Sequence, residues 1–247
     1  MNMRYLLLAD IHGNWPALQA VLKDAGARGF DQVLMLGDAV GYYPDGELVL
    51  NQLRELNAQC ILGNHDLWLL TNREMPGGYV MDILRWQYDK LSPANLEFLS
   101  SWPSRLEGPE YLVVHGSPCD DFVYIDSLAL AEDALECSDA RWIFHGHTHL
   151  AGYFNAMAGP KGWWVRRKVA REPEMVLTLA SGDRALINPG SVGQPRDGVP
   201  LSGYAIWDQE DNTVFFGRVG YDFNLVKGRL EAEGFPMKLY DRLLVGQ

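Results

Sequence analysis

Five short polar segments hold the side chains in this chain best suited to catalysis or metal binding. They are Asp10-Ile11-His12, Gly37-Asp38, Gly63-Asn64-His65-Asp66, His115-Gly116 and His145-Gly146-His147-Thr148-His149, and together they contain all six histidines. Carboxylates, imidazoles and an amide oxygen suit Mn, Fe, Zn or Ni better than Ca or Mg. The absence of cysteine from these segments argues against a closed structural zinc site. Taken singly, each segment has an ordinary explanation. Gly, Asn and Asp favour turns, D-x-H is common in loops, and a solitary His115 is more often a half-buried structural residue than a ligand. The weight lies in their order and placement.

Each segment follows a short apolar run. Residues 5–9 read as a buried strand that ends at Asp10, residues 32–36 as a second, and 60–62 as a third. Residues 112–114 and 142–144 are two more, and they run into His115 and His145. Loops at one edge of a sheet converge in space, so five strand ends can deliver side chains to one crevice. Between the strands the period changes to helical. Asn14 caps a helix with Pro16 in its first turn and Leu18, Val21, Leu22 and Ala25 on one face, and Gly26 and Gly29 close it. Further helices are expected over 47–56, over most of 66–102 with a start at Ser92-Pro93, and over 128–136. After residue 150 strands with turns take over, at 175–180, 185–188, 203–208 and 213–219, and a last helix begins at Asp222. This order predicts an α/β (α+β) fold of two packed mixed β-sheets flanked by helices, a four-layer αββα sandwich. No stretch resembles a linker, so residues 1–247 are expected to form a single domain.

The five blocks resemble the ordered signature of the calcineurin-like metallophosphoesterase superfamily: D-x-H, G-D, G-N-H-[DE], H and G-H-x-H. The later run from Asn188 through Pro189, Gly190 and Gln194 to Arg196 is similar to the small prokaryotic phosphodiesterase branch. The resemblance implies that Asp10, His12 and His149 bind one divalent metal ion, that Asn64, His115 and His147 bind a second, and that Asp38 bridges them. In two-metal sites of this kind a bound water reaches a pKa of about 7 and becomes a hydroxide nucleophile, while the ions neutralise charge on the phosphoryl oxygens. The resemblance also makes His65 the general acid toward the leaving alkoxide, with Asp66 orienting its ring. His145 lies outside the signature and is expected to be structural.

The substrate class is argued from one departure. The protein phosphatases of this superfamily and their dinucleoside-tetraphosphatase relatives carry Asp-Arg-Gly after the second block, whereas this chain has Asp38-Ala39-Val40-Gly41. Without a bidentate arginine there, a monoanionic diester is favoured over a dianionic monoester. Phosphodiesterase is therefore the first expectation. A phosphomonoesterase, a protein phosphatase or a dinucleoside-polyphosphate hydrolase are the alternatives. A non-catalytic scaffold, as in retromer, fits less well because all seven expected ligands and His65 are present. Tyr42, Tyr43 and Arg196 are the candidate contacts to a small phosphoester or nucleotide-like substrate. The basic, aromatic segment 161–168 reads either as a substrate-attracting flap or, preferably, as a hairpin whose tryptophans pack inward or at a subunit contact.

Composition bounds the rest. With 247 residues, 47% of them hydrophobic and 11% aromatic, the chain can bury roughly 70–75% of its unfolded surface, which excludes bulk disorder. A net charge of −11 disfavours extended nucleic-acid binding at long range, though two dications would make the crevice itself electropositive. No run is long and apolar enough for a transmembrane helix, and no signal peptide is expected. Cys60, Cys119 and Cys137 show no C-x-x-C spacing and are expected as buried free thiols, which points to the cytoplasm. A homo-oligomer is left open.

Overall fold

A computed structural model of the protein describes residues 3–71, 77–160 and 162–247. Its first sheet is built around β1 (Arg4–Leu8), which pairs in parallel with β2 (Gln32–Met35), itself parallel to β3 (Gln59–Cys60). On the other side β1 pairs antiparallel with β11 (Ser202–Asp208), followed by β12 (Thr213–Val219) and β9 (Glu174–Thr178), giving the order β3-β2-β1-β11-β12-β9. The second sheet has at its centre β5 (Tyr111–Val114), β6 (Trp142–Phe144) and β10 (Arg184–Asn188), mutually parallel. β4 (Arg105–Glu107) flanks it on one side, β7 (Gly152–Gly159) and β8 (Gly162–Val169) on the other, in the order β4-β5-β6-β10-β7-β8. The two mixed sheets and their helices match the expected architecture.

Strand alternation explains the layers. Along β1 and its extension, Leu6 and Leu8 face one way, into a core shared with Leu18, Val21 and Ala25 of α1 (Trp15–Arg28) and Val49 and Leu53 of α2 (Gly46–Glu55). Tyr5, Leu7 and Ala9 face the other way, against Val113, Trp142, Phe144 and Ile187 of the second sheet. A strand covered on both faces must be apolar throughout, which is why this one reads as a continuous hydrophobic run rather than an alternating one. The outer face of the second sheet is covered by α6 (Leu128–Glu136), through Ala131, Ala134 and Leu135. The expected caps are in place: the Asn14 side chain accepts from Ala17 N, Ser92 from Asn95 N at the start of α5 (Pro93–Ser100), and Asp222 from Asn224 N at the start of α7 (Phe223–Ala232).

Several expectations are corrected. The 66–102 region divides into α3 (Asn64–Thr71), α4 (Tyr79–Lys90) and α5, while its residues 72–76 lie outside the described residues. A further helix, α8 (Lys238–Val245), follows the one expected to be last. The 161–168 segment is indeed half of a hairpin, β7–β8, with Lys161 outside the described residues. Its tryptophans do not pack inward, however: Trp163 is 38% and Trp164 66% exposed, because β8 is the last strand of its sheet. Cys60 is a buried free thiol as expected, but Cys119 and Cys137 form a disulfide. They stand 18 positions apart in sequence, and only the return of the chain through α6 brings them together. The argument for a reducing compartment from free thiols therefore falls away. Among the described residues no helix is long and apolar enough to cross a membrane.

Candidate metal centre

The parallel strands of both sheets end at the same edge, and all five polar segments meet there. The β1–β2 ladder continues past the strands through Asp10 N to Gly37 O (3.1 Å), His12 N to Asp38 O (2.9 Å) and Gly13 N to Ala39 O (2.8 Å), which locks the first two segments together. Between Asp10 and His12, Ile11 is buried in the helix-side core and leaves its polar neighbours free to face the crevice. Asp10, His12, Asp38, His147 and His149 all have φ between 53° and 64°, and they are five of the seven described non-glycine residues with positive φ. Such conformations persist where the surroundings over-determine them, and they cluster at functional sites.

Two motif glycines have plain steric reasons. A Cβ on Gly63 would lie 2.1 Å from Asp38 Oδ1, and one on Gly37, whose φ is 90°, would lie 2.6 Å from His115 Nδ1. The G-D and G-N-H-D blocks must pass that close for the Asp38 carboxylate to reach the centre.

The side chains form two donor groups. In one, single ligand atoms of Asp10, His12 and His149 lie within 4.8 Å of one another; in the other, those of Asp38, His115 and His147 do so. Asn64 Oδ1 joins the second group, 3.2 Å from His115 Nε2. Asp38 stands between the groups, with Oδ2 3.7 Å from His12 Nε2 and 3.4 Å from His115 Nε2. A third combination, His12, Asp38 and His65, also falls within 4.8 Å, so His65 borders the cluster as well.

Backbone carbonyls set the orientation of each ring. His12 Nδ1 faces Val40 O at 3.1 Å, His115 Nδ1 faces Leu36 O at 2.8 Å, and His149 Nδ1 faces Gln194 O. The carbonyl in each case requires an N–H at Nδ1, so the neutral ring presents Nε2 as an acceptor. His147 is reversed: its Nε2 faces Phe122 O at 3.0 Å and Nδ1 is left for the site. His12 Nε2 and His149 Nε2 consequently point at each other across 3.2 Å, and neither ring has a proton to place between them. Around His115 Nε2, the oxygens of Asn64 and Asp38 converge in the same way. Facing acceptors of this kind are what a divalent cation resolves, so the residues present fit the two metal ions that the donor chemistry implies.

Burial governs the protonation of the cluster. Burial pushes His12 and His149 well below the ordinary imidazole value, and it takes His147 to about 4. It also raises Asp10 to about 7, partly opposed by His115. For Asp38 burial would act upward, but His115 and His65 outweigh it and hold the carboxyl well below the usual range. His115 shows the reciprocal case: burial would lower it, yet Asp38 carries it up to about 9.

The remaining expected residues divide. Asp66 does not orient His65. Its Oδ2 accepts from Asp38 N (2.7 Å) and Gly63 N (3.0 Å), and its Oδ1 from Val40 N (3.1 Å), so it holds the Asp38 loop instead. His65 Nδ1 is buried without a hydrogen-bond partner, and the ring is fixed by packing against Tyr42 (4.8 Å), His12 (4.6 Å) and Trp68 (5.4 Å). Tyr42 faces the centre, 4.6 Å from the His12 ring. Tyr43 does not. It is fully buried and donates to Leu239 O of α8, so it is a packing residue rather than a substrate contact. Arg196 reaches the Tyr42 hydroxyl (3.2 Å) and Gln194 Oε1 (3.0 Å), and its charge acts on Asp10, His12, His65 and His149. His145 is buried, and burial lowers it to about 3.

The 188–196 run is a wall of the site. Asn188 Nδ2 donates to Gly146 O (2.7 Å) and Thr148 Oγ1 (3.0 Å), Ser191 Oγ to Asp10 O (2.7 Å), and Gly193 N to Asp10 O (3.0 Å). Sequence reasoning missed Trp68, Phe122, Tyr124 and Gln87. Trp68 could have been found three residues beyond His65 on one helix face. Tyr124, 44% exposed with its ring 4.2 Å from that of His147, and Gln87, which holds Gly41 by both its amide atoms, carry no local signal.

A buried crevice of carboxylates and imidazoles arranged as two adjacent metal-ligating groups, at the shared edge of two mixed sheets, is the architecture of a metallophosphoesterase. The model of the calcineurin-like phosphoesterase superfamily domain matches residues 3–212, and the chain belongs to that superfamily. It is 30% identical to the uncharacterised protein MJ0912 of Methanocaldococcus jannaschii, over 98% of this chain and 97% of that one. Its fold is similar to the crystal structure of a metallophosphoesterase from Sphaerobacter thermophilus, at 32% identity, complete coverage of both chains and a TM-score of 0.88. It is also similar to that of the hypothetical protein PH1004 from Pyrococcus horikoshii OT3, at 20% identity, with 99% and 98% of the two chains covered and a TM-score of 0.79.

Proposed function

We propose that this phosphoesterase is a phosphodiesterase with two divalent ions of Mn, Fe, Zn or Ni. Asp10, His12 and His149 hold one ion, Asn64, His115 and His147 the other, and Asp38 bridges them. The observation that carries this reading is the place of Asp38 Oδ2 between His12 Nε2 and His115 Nε2, at 3.7 and 3.4 Å. Bound there, the ions supply Lewis acidity toward the phosphoryl oxygens and a water made nucleophilic near neutral pH.

The chain's own residues do the remaining work. Arg196 approaches the centre from the rim and neutralises a non-bridging phosphoryl oxygen. One guanidinium at the rim suits the single charge of a diester. His65 donates a proton from Nε2 to the departing alkoxide, since Nδ1 is packed against Gly41 with no acceptor. Aromatic walls stand on both sides of the cluster, Tyr42 and Trp68 beside His12 and His65, Phe122 and Tyr124 beside His147. A diester has a substituent for each side, whereas a monoester has only one.

The test is to strip the protein with chelator, restore Mn²⁺, and compare bis-p-nitrophenyl phosphate with p-nitrophenyl phosphate. A higher kcat/KM for the diester supports the reading. A preference for the monoester overturns the diester assignment, and inactivity on both with every metal revives a scaffold role.

A further inference from the structure

Two arginines flank the Tyr42 ring. The guanidinium carbon of Arg196 lies 5.7 Å from the Tyr42 ring centre, and that of Arg242 lies 5.8 Å from it. The two come from distant parts of the chain, Arg196 from the wall segment and Arg242 from the last turn of α8. In a chain of net charge −11, neither has an Asp or Glu carboxylate within 4.0 Å among the described residues.

Each fork is only partly used, Arg196 donating from one terminal nitrogen to the Tyr42 hydroxyl and Gln194 Oε1. Arg196 Nε is buried with no partner. Arg242 donates from Nε to Gln247 O at 2.9 Å, and among the described residues its two terminal nitrogens have no hydrogen-bond acceptor. An arginine that only braced the fold would have its planar fork filled. The helix presenting Arg242 is held in place, since Leu239 and Leu243 are buried and Tyr43 bonds to Leu239 O.

We propose that Arg242, together with Arg196 across Tyr42, forms a subsite for a second anionic group, so that the substrate is a phosphodiester with an additional phosphate on the substituent that lies over Tyr42. The scissile phosphate sits at the metal centre within reach of Arg196, the linking group passes the edge of Tyr42, which is 9% exposed, and the second phosphate meets the free edge of Arg242. This subsite rests on the phosphodiesterase reading for its use in turnover, but not for its binding chemistry.

Calorimetric titration of the protein as purified, with its metal content measured, compares thymidine 3′,5′-bisphosphate with thymidine 5′-monophosphate. The bisphosphate is expected to bind about ten-fold more tightly, as one charge-assisted contact predicts. In Arg242→Gln the advantage falls to about one-fold, and Arg242→Lys retains part of it, with thermal melts showing that both variants fold. In turnover, Arg242→Gln raises KM more for thymidine p-nitrophenyl phosphates bearing a second phosphate, as 3′ or 5′ isomers, than for the unphosphorylated diester. Equal binding of the two nucleotides by the wild-type protein, or an advantage that survives Arg242→Gln, overturns the subsite. Absence of turnover on all diesters overturns the phosphodiesterase reading alone, because the binding ratio still decides the subsite.

Discussion

The two donor groups are built to different standards of support. Asp10, His12 and His149 are buried, and the carbonyls that orient their imidazoles, Val40 O and Gln194 O, belong to segments tied to the core. His115 is equally buried and is oriented by Leu36 O at the end of β2. His147, its companion, is oriented from the outside. Phe122 O, which faces its Nε2, lies in the 116–127 loop, where Phe122 and Tyr124 are exposed. That loop is tethered to the end of α6 by the Cys119–Cys137 disulfide. One half of the centre is thus held by sheet and core, while the other half leans on a surface loop with a covalent anchor. A ligand is only as well placed as the groups behind it.

The largest effect is expected at the residue the halves share. Asp38→Ala should remove both metals and lower diester turnover on the order of 10³-fold or more. Metal analysis that finds one ion retained at full affinity would show that the halves are independent. His65→Ala should retain both metals yet lose about 10²–10⁴-fold in turnover of an alkyl ester. The loss should be much smaller with p-nitrophenolate as leaving group, and equal losses on both substrates would remove His65 as a proton donor.

A smaller effect tests the asymmetry itself. Replacing Cys119 by Ser should weaken one metal by about ten-fold and leave the other unchanged. Equal weakening of both ions in a two-site titration would break the comparison. The smallest signal is a thiol count. Burial pushes the Cys60 thiol far up, so the native unreduced protein should react with no thiol reagent. One thiol should appear on denaturation, and all three cysteines on reduction. Two further reactive thiols before reduction would mean that the 116–127 loop is untethered.

Much of this centre was legible in the sequence because its donor side chains sit in local blocks after apolar runs. Asp10, His12, Asp38, Asn64, His115, His147 and His149 all converge, since parallel strands carry their ends to one edge. The same reasoning failed wherever a role depends on which of two neighbours turns inward. Tyr42 and Tyr43 are adjacent and alike, yet one lines the site and the other anchors α8. Asp66 follows His65 directly, yet its carboxylate is drawn to the backbone amides of Asp38 and Val40 in another segment and of Gly63 in its own. The wrong expectation for Cys119 and Cys137 has the same origin, since nothing in their spacing records the path of α6.

The sequence by itself determined the donor inventory and the strand ends that bear it, because side-chain chemistry and hydrophobic period are local properties. Tertiary structure decided which ring nitrogen each histidine offers, which carboxylate stands between the two groups, and which arginines gather at Tyr42. Those outcomes depend on carbonyls, amides and charges brought in from segments far away along the chain, and no local pattern encodes their meeting.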